Sequence, residues 1–224
     1  MKVLGISSGI GVTGAGIAGD EGILAEFSVA SPAVQSEKLA VLIDEVLKRA
    51  RLSIKDVDAV AVTTGPGSYS GLRGGLATAK GLVEGLKVPL LTVSTLRAIA
   101  FNLINTEGAI AVAVNACRED YNFAMFASRG GKLKRLTSDI SVKAQNIKGT
   151  LEKVKGSMIL ACDAGMKKLI RNKNIIFADE KDIVPWGINV ARIGMEKLRK
   201  KETSDPILAK PSYSHKPNIK EYKD

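Results

Sequence analysis

One order of predicted elements runs through the chain twice. Val3–Ser7, Val12–Ala18 and Ile23–Val29 read as three strands, with Gly19-Asp20-Glu21-Gly22 as the tight turn between the second and third. Ser36–Arg49 then places Leu39, Leu42, Ile43, Val46 and Leu47 at helical spacing. A buried strand, Val57–Val62, and a helix, Leu72–Leu86, complete the unit. In the second half, Ala109–Asn115, Tyr121–Ser128 and Leu133–Ile140 read as three strands. Arg129-Gly130-Gly131-Lys132 is the matching turn, 110 residues after the first. Val142–Val154 reads as a helix, Met158–Cys162 and Ile175–Phe177 as short strands, and Ala164–Arg171 as the helix between them. Trp186–Lys201 reads as a late helix with a fair apolar stripe. The stretch from Pro206 to Asp224, with Pro206, Pro211 and Pro217, reads as an extended tail whose last dozen residues are loose.

A βββαβα unit used twice is the plan of the actin/sugar-kinase/Hsp70 (ASKHA) fold, an α/β architecture. No low-complexity linker separates the copies, so two packed subdomains are expected, 1–104 and 105–224, the second smaller and more basic.

The richest local signal is Thr63-Thr64-Gly65-Pro66-Gly67-Ser68-Tyr69-Ser70-Gly71-Leu72-Arg73-Gly74-Gly75. It follows an apolar strand and opens a small-residue helix. A sharp strand-to-helix turn aims backbone N–H groups and a positive helix end at one point, which suits anions. It is neither a Walker A loop nor a G-x-G-x-x-G turn. Gly65, Pro66, Gly67, Ser68 and Arg73 are therefore the candidate anion- or nucleotide-binding set, joined by Ser7 and Ser8 after the first strand, where active members of the ASKHA fold hold phosphate. Arg73, in the first helical turn, can clamp a phosphate or a partner carboxylate, or fix the loop through a salt bridge.

These residues resemble the G-P-G-S-F-T-G-L-R signature of the bacterial TsaB (YeaZ) family, with Tyr69 for Phe and Ser70 for Thr. Val88-Pro89 leading into Val93-Ser94-Thr95-Leu96, then Ala116-Cys117-Arg118-Glu119-Asp120-Tyr121 and Pro211-Ser212-Tyr213 resemble further family segments. The resemblance is strongest over residues 57–101. It implies the ASKHA fold and a role as partner of TsaD in making N6-threonylcarbamoyladenosine on tRNA. It also implies that the first two long helices form the partner face, through Leu39, Leu42, Ile43, Val46, Leu72, Leu76 and Lys80. That partner is a TsaD-like subunit or a second copy of the chain, with ATP or ADP at the shared interface and no resident cofactor.

The departures bear on chemistry. Where the family carries an aspartate after its first strand, this chain reads Gly5-Ile6-Ser7-Ser8, and no carboxylate lies between Met1 and Asp20. Gln35-Ser36 replaces a His-Ser pair, Asn115 replaces an aspartate, and Ser214-His215 replaces Leu-Arg. A hydroxyl cannot substitute for a charged metal ligand. The chain's one histidine, His215, lies in the tail, so neither a histidine metal pair nor a Ser-His-Asp triad can be assembled from it. No catalytic residue and no metal site is assigned. An ATP-dependent kinase or hydrolase using Ser7, Ser8 and Gly65–Ser68 is the alternative, and a glycoprotease-like metalloenzyme the remote one.

Other polar groups have plain readings. Asp56 and Asp58 sit at a strand start, and Glu119 and Asp120 in a hairpin turn. Cys117 and Cys162 fall in apolar runs and read as buried thiols of a reducing cytoplasm. No apolar run reaches the ~18 residues of a membrane span. Glycines from Gly5 to Gly16 break any signal-peptide pattern. Charge is uneven: residues 1–100 carry 10 basic and 9 acidic side chains, residues 101–224 carry 23 and 14. The second half therefore either suits a polyanion, with tRNA the one that the family resemblance offers, or serves solubility alone.

Overall fold

The computed structural model describes residues 1–29 and 38–213. The first half contains β1 (Lys2–Ile10), β2 (Val12–Gly19), β3 (Gly22–Val29), α1 (Leu39–Ala50), β4 (Ala59–Gly65), α2 (Tyr69–Leu86), β5 (Leu90–Ser94) and α3 (Thr95–Ala100). Then follow β6 (Gly108–Cys117), β7 (Asp120–Arg129), β8 (Lys132–Arg135), β9 (Ile140–Lys143), α4 (Ala144–Leu151), β10 (Met158–Cys162), α5 (Ala164–Leu169), β11 (Ile175–Phe177) and α6 (Gly187–Arg199). One sheet has the order β3-β2-β1-β4-β5; the other has β11-β10-β6-β7-β8, with β9 also on β7. Each sheet begins with antiparallel hairpins and grows by parallel strands reached through helices. This is the duplicated ASKHA plan.

The first sheet is covered on both sides. Leu4, Ile6, Ile17, Val60 and Val62 face α1 and α2, where Leu39, Ile43, Val46, Leu76 and Val83 meet them. Val3, Ala59, Ala61, Leu91 and Val93 face the other way, toward Val190, Ala191 and Ile193 of α6. Each fully buried aliphatic side chain contributes about 1.5–3 kcal/mol. The α6 contact is close because β1 has Gly5 there: a Cβ would overlap the Gly187 carbonyl and the Ala191 nitrogen. The α6 N-terminus has no side-chain cap from Trp186. Glu26 on β3 supplies one from across the chain, accepting from the Ile188 N–H at 2.5 Å, while Ser28 Oγ donates to its other oxygen at 2.6 Å. Burial raises the Glu26 pKa above the usual glutamate value, and these hydrogen bonds oppose that shift.

Residues 1–104 thus hold the first sheet with α1, α2 and α3, while its second face is closed by α6, from residues 187–199. Between the sheets lies α3. Leu96, Ile99 and Ala100 pack on Ile110, Val112, Ala124 and Phe126 of the second sheet. Asn102 and Asn189 tie this layer together: Asn189 Nδ2 donates to Asn102 Oδ1 at 2.6 Å, and Asn102 Nδ2 donates to the Asp182 and Val184 carbonyls.

Several boundaries differ from expectation. β1 runs on through Ser7, Ser8 and Gly9, and the chain turns at Gly11 (φ +63°). α2 begins at Tyr69, three residues early, because Ser68 caps it. The strand expected over Leu133–Ile140 is two strands, β8 and β9. Between them the Leu136 and Thr137 amides both donate to the Met125 carbonyl, and Thr137 Oγ1 accepts from the Met125 N–H. α4 starts at Ala144 and α5 ends at Leu169. Cys117 is exposed at the end of β6, whereas Cys162 is buried, with its thiol pKa pushed up to about 12, chiefly by desolvation. The expected helix start at Ser36, the Gln35-Ser36 pair and Ser214-His215 lie outside the described residues.

Candidate functional site: the loop leading into α2

The loop is built by close backbone approaches. β4 ends at Gly65 with φ +127°, followed by a cis peptide to Pro66. Gly67 lies against β1, where a Cβ would come within 2.5 Å of the Gly9 carbonyl oxygen. The Ser68 N–H donates to that carbonyl at 2.7 Å. Ser68 is extended (φ −63°, ψ 141°), and its Oγ accepts from the Gly71 N–H at 3.2 Å as an N-cap.

Ser7 and Ser8 are both buried but do not converge, because successive residues of a strand face opposite sides of the sheet. Ser8 faces α2 and donates from Oγ to the Gly71 carbonyl at 2.8 Å. Gly75 makes room for it, since a Cβ there would fall on the Ser8 hydroxyl. Gly65–Ser68 and Ser8 thus belong to one cluster, and Ser7 lies on the opposite face of the strand.

Arg73 is exposed and, among the described residues, is in no ion pair. Its Nε donates to Tyr213 Oη at 3.0 Å, and its guanidinium carbon lies 3.9 Å from the centre of the Tyr69 ring. The two tyrosine rings stack at 5.0 Å with 30° between their planes. The hydrogen bond to Tyr213 raises the Arg73 pKa further. The tail that brings Tyr213 here is anchored along the first sheet. Ser204 N–H donates to the Leu90 carbonyl at 2.8 Å, and Ser212 N–H to the Thr64 carbonyl at 2.6 Å. Expected as a loose end, Tyr213 is instead part of the site. Its signal was the Pro211-Ser212-Tyr213 segment, whose contact lies 140 residues away in sequence.

Of the helix residues expected on a partner face, Leu39, Leu42, Ile43, Val46, Leu72 and Leu76 are buried in the chain's own core, and Lys80 is half-buried. The outward stripe of α2 is Ser70, Arg73, Ala77, Gly81, Glu84 and Gly85, and Val41 stands 59% exposed on α1. A Cβ at Gly81 or Gly85 would meet nothing within 4 Å. Asp56 caps the turn at Ser53, and Asp58 accepts from the Lys2 N–H. Among the described residues, no three His, Cys, Asp or Glu side chains gather as metal ligands, and no helix is long and apolar enough to cross a membrane.

A family model described as "TsaD: tRNA N6-adenosine threonylcarbamoyltransferase" matches residues 30–159, more than half of the chain. The tRNA threonylcarbamoyladenosine biosynthesis protein TsaB of Buchnera aphidicola is 30% identical over 159 residues, covering 66% of this chain and 75% of that protein. The chain belongs to the TsaB (YeaZ) family. The tRNA N6-adenosine threonylcarbamoyltransferase of Paracoccus denitrificans is 30% identical over 144 residues, but the match covers only 38% of that longer protein. YeaZ from Pseudomonas aeruginosa superimposes with a TM-score of 0.81 over 95% of this chain and 99% of that one, at 17% identity. The fold is therefore shared along nearly the whole chain, including α6 and the second sheet.

Proposed function

We propose that the chain is a non-catalytic partner subunit in the formation of N6-threonylcarbamoyladenosine at adenosine 37 of tRNA. It acts in the cytoplasm by docking a TsaD-type transferase and holding it in its active arrangement. The observation that carries this reading is the use of the signature loop. Its groups bond to β1, to the α2 N-terminus and to the tail, so the motif shapes a rigid surface. The smooth outer stripe of α2 beside it has the shape a second helix needs for close packing. A scaffold of this kind acts by binding the active arrangement of its partner more tightly than the inactive one.

The same stripe serves a TsaD-type subunit or a second copy of the chain, with ATP or ADP placed at the shared interface. The test is light scattering on size-exclusion fractions of the chain alone and mixed with the TsaD homologue of its organism, with and without ATP. The expected result is a new 1:1 or 2:2 species. Gly81→Arg abolishes that species without lowering the melting temperature, because the position is open to solvent and arginine favours helix over glycine by about 1 kcal/mol. A chain that remains alone under every condition overturns the proposal.

A further inference from the structure

The second sheet has one end lined with cations. Strand register sets Ile175, Met158, Ala109 and Ala127 side by side across β11, β10, β6 and β7, and sets Arg129 opposite Lys132 on β8. Just outside that line stand Lys173 before β11, Lys153 and Lys155 before β10, Arg129 ending β7 and Lys132 opening β8. All five are exposed, and none is in an ion pair among the described residues. Five strands about 4.8 Å apart make this edge roughly 19 Å long.

The nearby acids do not neutralise it. Glu107 accepts from the Gly130 N–H at 2.8 Å, and Glu152 from the Arg171 N–H at 2.8 Å; both keep their charge, but these two carboxylates stand against five cations. The carrier loops are laced together. Asn172 Nδ2 donates to the Leu151 and Val154 carbonyls, and Asn174 Nδ2 to those of Val154 and Lys155. Between the cations the chain places Gly108, Gly130, Gly131 and Gly156, so little protrudes there. Among the described residues of these loops, no aromatic side chain stands between the cations to read a base. Like charges in a row repel one another, and a regularly spaced polyanion relieves that repulsion.

We infer that this edge is a docking track for the phosphodiester backbone of RNA, contacted without base readout. The choice of RNA rests on the proposed role in tRNA modification; the position and nature of the contact go beyond it. The test is fluorescence anisotropy of the full chain with a labelled tRNA transcript between about 50 and about 200 mM salt. Lys153→Ala/Lys155→Ala/Lys173→Ala is compared with Lys55→Ala/Lys87→Ala/Lys181→Ala, an equal removal of exposed charge elsewhere. All six are surface substitutions, and matching melting curves confirm intact folding. The edge variant is expected to bind at least tenfold more weakly at the lower salt. Its log–log salt slope should be shallower by about 2 to 3, at roughly 0.7–0.9 for each phosphate no longer neutralised. The control should match the parent. Equal weakening in both variants, no measurable binding by the parent, or edge-dependent binding to phosphatidylserine vesicles in place of RNA would each overturn the track. The measurement uses the chain alone, so its failure is separable from failure to form the transferase complex.

Discussion

At the scale of single residues, Glu26 shows how the fold uses a buried carboxylate. It caps α6 from β3, and burial holds its pKa above the ordinary value. A raised carboxylate pKa means the folded state prefers the protonated form. This group's contribution is therefore fully present below the unfolded pKa and is lost as pH rises through the folded one. Denaturant unfolding followed from about pH 4 to about pH 7 should show that decline in the parent. Glu26→Gln, which still accepts from Ile188, should lack it. Glu26→Ala should lose about 1–3 kcal/mol at the acid end, the usual penalty for stranding a buried donor, and less as pH rises. Identical pH profiles for the parent and the glutamine variant would refute the assignment. Local sequence offered no hint of this cap, because the two partners are 162 residues apart.

At the scale of elements, legibility followed the range of the deciding interaction. β10 and β11 have the bounds read from sequence: each is a short apolar run that follows a polar residue, and β10 is closed by Asp163 while β11 runs out one residue before Asp179. The hairpin turns at Gly19 and Gly130 were equally legible from their glycines. The split of β8 from β9 was not, because it depends on one carbonyl of β7, that of Met125, receiving two amides from the segment between them. The candidate loop was read correctly as a strand-to-helix turn. The continuation of β1 through Ser8, and the tail that straps the loop down, depend on contacts that no local pattern records. The strap makes its own prediction. Tyr213→Ala removes both the ring stack on Tyr69 and the acceptor for Arg73. Amide hydrogen exchange over residues 64–73 should accelerate, while β1 and β4 stay protected; unchanged exchange in the loop would show that the strap does not hold it.

At the scale of the molecule, the two halves divide the surface by charge. The first half presents the near-neutral α1–α2 face, and the second carries most of the excess positive charge. A subunit bridging a protein partner and a polyanion gains from that separation, because the polyanion is not drawn onto the protein-binding face.

The return of α6 to the first sheet has a consequence for how the chain comes off the ribosome. The inner face of that sheet, with Val3, Ala59, Ala61 and Leu91, must wait for residues 187–199 before it is covered. Until then the nascent first half exposes a sheet face that would bind almost any apolar surface, including another unfinished copy. A fragment ending at residue 104 should accordingly be aggregation-prone and bind a hydrophobic dye, and adding a peptide of residues 184–202 should rescue it. A soluble, cooperatively melting fragment would show that the first half does not need its last helix. Closure of this face therefore waits on the whole stretch of chain between Ser94 and Gly187, and holdase chaperones have that interval in which to act.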